Sequence, residues 1–171
     1  MATDTGSAGG VGQDELALAR YALALADGID AALDGWVLRC VYQRCSEAGV
    51  DLNDDVRARA EVVALACRTE TMPRIRELLV TDIDSQRTTP LALVREAVRF
   101  PTDLLAGLGV VASARGEFEE RSFPDDLYGL SPSSLADLDP TLGEAALAWG
   151  AAKAHVHLTR RRSEGLSQPP R

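Results

Sequence analysis

The pattern that most constrains this chain lies in residues 14–47, where Leu18, Ala22, Leu25, Ile29, Leu33, Trp36 and Cys40 recur at spacings of three and four. That period lines apolar side chains along one face of a helix, whereas a strand would need them at every second position. The spacing predicts one long helix, or two in line. Gly28 and Gly35 lie seven apart on one side, where missing side chains let a neighbouring helix come close. Each also weakens a helix by about 1 kcal/mol relative to alanine and so marks a place for a break. Asp27, Asp30 and Asp34 fall on what reads as the solvent side. Hard-metal sites gather ligands from more than one element, and no second element supplies one here, so the three carboxylates read as a solvated face.

Gly49 supplies a helix stop, and Asn53 followed by Asp54 and Asp55 supplies an N-cap and an acidic first turn, which together make a helical hairpin connection. Val56, Ala60, Val63 and Cys67 mark the buried stripe of the second helix, with Arg57, Arg59 and Glu61 towards water. Pro73 disfavours helical geometry at Met72, which predicts an interruption there and a separate helix carrying Ile75, Leu78 and Leu79. Thr89 and Pro90 then form a cap and first helical residue. Leu91, Val94 and Val98 should face the core, and Pro101 should end this helix at Phe100 and open a short new one. Residues 112–126 are charged and without period, an ordered loop that Phe118 and Phe123 would pin. Ser131-Pro132 and Asp139-Pro140 repeat the cap-plus-proline device, the first opening a short turn through Leu135 and Leu138 and the second a last helix over 140–162. On that helix Leu142, Ala146, Trp149, Lys153 or Ala152, and Val156 share one face. Leu147, Ala151, Ala154 and Leu158 read as a flank of the same wide apolar arc, packed against more than one neighbour.

No strand pattern of useful length and no internal repeat occurs, so the fold class is all-α: a compact bundle of about five to seven helices in a single domain over 14–162. A chain of 171 residues buries roughly 70% of its unfolded surface, enough for a core without staples. Residues 1–13 are small and glycine-rich and are expected to be a disordered tail, and 163–171 a loose one.

The formal net charge of -8 excludes a general nucleic-acid binder, which needs a basic surface. The cluster Arg160, Arg161 and Arg162 is accounted for by the negative end of the last helix. Cys40 and Cys45 are about 140° apart around a helix, so they neither bridge nor share a metal there, and all three cysteines including Cys67 read as reduced, buried thiols. No apolar run approaches the ~18 residues of a membrane span, and the N-terminus lacks the features of a secretion signal, which points to a cytoplasmic protein without membrane contact.

Neither GxGxxG nor GxxxxGK[ST] is present, and His155 and His157 diverge by about 200° on a helix, so no cofactor and no metal are expected. What remains is a polar constellation: Arg87 and Thr88 at the turn before the Thr89-Pro90 cap, Arg95 and Arg99 on the helix after it, and Asp125, Asp126 and Tyr128 in the later loop. Structural ion pairing, a protein-binding surface and an anion site are three readings of it, since guanidinium forks beside a helix start bind carboxylate or phosphate. For Arg95 the structural pairing is the expectation. The segments TTPLALVREAVRFPTDLL, FPDDLYGL, LADLDP and WGAAKAHVHLTRR resemble those of a family of small uncharacterised cytoplasmic proteins of high-GC bacteria, over about residues 70–162. The resemblance implies a soluble protein and brings no activity, cofactor or catalytic residue with it. The expected function is a non-catalytic protein-interaction domain, adaptor or regulator, acting on a protein partner. A module for a small anionic ligand is the alternative, and an enzyme with an unrecognised site the third reading.

Overall fold

The first helix, α1 (Ala8–Glu47), passes unbroken through both Gly28 and Gly35. The computed structural model describes residues 8–81, 89–99, 101–110 and 135–165, and among them lie six helices and no strand. α1 begins before the expected boundary, so residues 8–13, expected to be disordered, are helical instead. Extending an existing helix adds a hydrogen bond per residue without a new nucleation cost, and glycines that would not start a helix can continue one. At its other end Val50 N–H donates to the Cys45 carbonyl at 2.8 Å and Gly49 N–H to Ser46 at 3.1 Å. Gly49 takes φ of 71°, the left-handed conformation that this closure requires and that glycine adopts without strain.

The chain reverses and α2 (Asp54–Val80) runs back along α1, its first turn capped by Asn53 Oδ1 accepting from Val56 N–H at 3.0 Å. The break expected at Pro73 does not occur, and α2 is one helix. An internal proline costs about 3 kcal/mol. Thr71 and Met72 before it, and Ile75, Leu78 and Leu79 after it, are nevertheless all buried, and a bend would draw one set out of the core. The aspartates on α1 also correct the sequence reading. Asp34 accepts from Arg68 at 2.8 Å, and Asp30 accepts from Arg76 at 2.8 Å with Arg68 Nε a further 3.7 Å away. Asp30 and Asp34 thus line the seam with α2, while Asp27 alone of the three is exposed.

Two short helices close one side. α3 (Pro90–Arg99) buries Leu93, Val94 and Ala97 in the main core, and after the interruption α4 (Thr102–Gly107) begins behind Pro101 as the proline spacing predicts. The hydroxyl of Thr89 accepts from Ala92 N–H at 3.2 Å, capping α3. A second core at the hairpin end joins Val41 and Cys45 of α1, Val56 and Ala60 of α2, and Leu104 and Leu105 of α4. The one-turn helix α5 (Leu135–Leu138) leads into α6 (Pro140–Ser163), whose Asp139 cap accepts from Thr141 N–H at 2.9 Å.

α6 lies antiparallel to α1. A Cβ on Gly28 would stand 2.5 Å from Leu142 Cδ2, so that glycine does admit a neighbour, whereas nothing lies within 4 Å of a Cβ on Gly35. At the other end His155 meets Asp14 at 3.1 Å and Arg160 meets Glu15 at 2.7 Å. The wide apolar arc read on this helix is two separate lines. Leu142, Lys153 and Val156 are buried, but Leu147 is 77% and Leu158 53% exposed, and Ala151 and Ala154 are exposed with them. At 100° per residue the second line sits nearly opposite the first and meets none of the bundle's own core.

Candidate functional site

Of the seven residues that the sequence singles out, Arg95 is the one whose side chain falls among the described residues. It is half-buried on α3 and is not a free cation. Its neighbour Glu96 pairs with Arg74 of α2 at 3.4 Å, both side chains being mostly exposed. Arg99 ends α3, its side chain outside the described residues, and Arg87, Thr88, Asp125, Asp126 and Tyr128 also lie outside them.

The most developed polar arrangement in the described structure is one that the sequence reading passed over, at the C-terminal end of α2. The last carbonyls of a helix have no partner within it and carry the negative end of its dipole. Here Glu77 accepts from Thr81, through its N–H at 3.0 Å and its hydroxyl at 2.7 Å. Leu78 accepts from Lys153 Nζ at 3.2 Å and Leu79 from Trp149 Nε1 at 3.0 Å. Lys153 is only 4% exposed, and its ammonium lies 4.8 Å over the Trp149 ring. A buried ammonium needs such electron-rich neighbours, and the carbonyl end of a helix with an indole face provides them. The signal was present in the sequence as Trp149 and Lys153 one turn apart on the apolar stripe: a lysine there has to find acceptors inside the fold.

Beside this cap Leu18, Val80, Thr81, Lys153, Val156, His157 and Arg160 line a cavity of about 30 Å³. That is about the share of liquid volume that one water molecule takes up, far below the several hundred Å³ of a metabolite pocket. The lysine and tryptophan therefore anchor α6 to the end of α2. Among the described residues no three His, Cys, Asp or Glu side chains gather to hold a metal, and no helix is long and apolar enough to cross a membrane. The three cysteines are free and buried. Cys67 Sγ donates to the Ala97 carbonyl at 3.0 Å, tying α2 to α3, and burial, then the charges of Glu70 and Asp34, push its thiol up to about 11. A thiol held protonated is a poor nucleophile.

A different surface stands out by its apolar exposure. α1 has 40 residues against 27 in α2, so it extends beyond its partner by roughly 20 Å at 1.5 Å per residue. Leu16 and Leu23 continue at heptad spacing the line of α1 on which Asp30 meets α2, Leu23 level with the last turn of α2 and Leu16 past its end at Val80. They are 72% and 60% exposed, and Val80 is 62% exposed. No family model, curated protein or solved structure matches the chain.

Proposed function

We propose that this chain is a non-catalytic interaction domain, an adaptor or regulator that binds another protein through the exposed apolar line on the N-terminal half of α1. The observation that carries this reading is the pair Leu16 and Leu23, large apolar side chains on the line along which α1 already accepts a helix. A helix face that packs a neighbour over part of its length and is left open over the rest suits an amphipathic helix supplied by a partner, which would continue the course of α2. The nearby cavity is too small for a metabolite, which favours a macromolecular partner over a small anionic ligand. The working location consistent with this reading is the cytoplasm, where three free thiols stay reduced.

The test is a native pull-down with the parent chain and with Leu16→Ser/Leu23→Ser. The expected result is one stoichiometric protein retained by the parent and lost with the double variant, whose circular dichroism should be unchanged. Equal recovery by both chains, or a rise in melting temperature with phosphorylated or carboxylate metabolites and no protein retained, would reject the reading.

A further inference from the structure

We propose that the outer face of α6 is a self-association surface on which two copies of this chain pair antiparallel, about a two-fold axis between Ala151 and Ala154. This goes beyond the partner binding argued for α1, uses a different helix face and does not rest on it.

Leu147, Ala151, Ala154 and Leu158 are exposed and follow one another in steps of four, three and four, the spacing of a seam that meets a second helix over its whole length. The bundle itself leaves this line open, with the two leucines 77% and 53% exposed. Leucine, alanine, alanine, leucine reads the same in both directions. A reversed second copy therefore sets Leu147 against the partner's Leu158 and Ala151 against the partner's Ala154. The alanines at the centre let the two helices approach closely, and the leucines close over them at either end. Such self-complementarity is what a two-fold interface requires.

The charges at the ends of the seam select both the occupant and its direction. One step further along the same line lies Glu144 before Leu147 and Arg161 after Leu158, both exposed. In the antiparallel pair Glu144 faces the partner's Arg161, and the two-fold axis repeats the contact at the other end. A parallel pair would bring glutamate to glutamate and arginine to arginine. Opposite charges at the rim fix register and reject the wrong arrangement. The seam covers three helical turns, a small interface, so the pair should form and separate reversibly with concentration.

The experiment is sedimentation velocity on the full chain from micromolar to near-millimolar concentration, at physiological salt so that the net charge of -8 is screened between copies. The parent should pass from monomer to dimer. Glu144→Arg and Arg161→Glu should each weaken the dimer severalfold or more, an equimolar mixture of the two should restore it, and Leu147→Glu/Leu158→Glu should stay monomeric with its helicity intact. Direction is read by cross-linking: Leu147→Cys mixed with Leu158→Cys should give a disulfide-linked dimer and neither alone should, because the axis holds identical residues about 16 Å apart. A monomer at every concentration, a dimer indifferent to both charge changes, or ready cross-linking of either cysteine variant with itself would overturn the proposal.

Discussion

Arg68 of α2 donates to Asp34 Oδ2 of α1 at 2.8 Å, while Asp34 Oδ1, on the other side of the same carboxylate, is buried and accepts no hydrogen bond. Removing the arginine leaves a part-buried carboxylate with one oxygen dry and the other unpaired. Arg68→Ala should therefore cost about 1–3 kcal/mol. The comparison is Arg74→Ala, whose contact with Glu96 is mostly exposed and should be worth under about 0.5 kcal/mol. Equal denaturant midpoints for the two variants would contradict this.

The two glycines of α1 should respond in opposite senses to alanine. Gly35→Ala meets open space and gains helix propensity, so a stabilisation of about 0.5–1 kcal/mol is expected. Gly28→Ala places a methyl 2.5 Å from Leu142 Cδ2, and Leu142 is itself buried. The clash should cancel the propensity gain and lower the melting temperature below that of the parent.

Lys153→Met keeps the length and apolar stem of the side chain but withdraws the donor from the Leu78 carbonyl. A loss of about 1–3 kcal/mol is expected, read as a lower denaturant midpoint. A variant as stable as the parent would show that the ammonium contributes nothing net to the end of α2.

The Cys67 thiol is raised to about 11, which makes stability fall in alkali. Below the unfolded value, near 9.0, both states keep the proton and the contribution is complete. As pH rises from there through about 11 the unfolded state ionises first and roughly 2–3 kcal/mol is lost. Cys67→Ala, less stable at neutral pH, should show a shallower decline over that window when unfolding is followed by circular dichroism. Parallel pH profiles would count against the assignment.

Elements that follow from local chemistry were legible in the sequence: the Gly49 stop, the Asn53, Thr89 and Asp139 caps and the interruption at Pro101 all stand where their residues place them. Pro73 was misread because the same local rule ignores what lies on either side. Buried residues before and after it hold α2 straight through a position that would end an isolated helix. Asp30 and Asp34 were misread for a related reason. Their partners are distant in sequence and become visible only when the hairpin is closed in register, for Asp34 and Arg68 stand equidistant from Asp51 in the connection. Of the candidate site, the side chain of Arg95 alone can be placed, half-buried on α3. Lys153 was legible as an oddity on an apolar stripe, but its acceptors belong to α2, and no spacing within α6 announces them.

The pairing of Arg160 with Glu15 has a consequence for how the chain is made. On a ribosome α1 emerges first, and its half nearest the turn finds α2 within a few tens of residues. The part nearest the N-terminus, beyond the end of α2 and with Leu18 beside Val156, waits until α6 has left the exit tunnel. Until then this apolar surface lacks the helix that covers it in the folded chain, and it is there that a nascent-chain chaperone would have to stand guard.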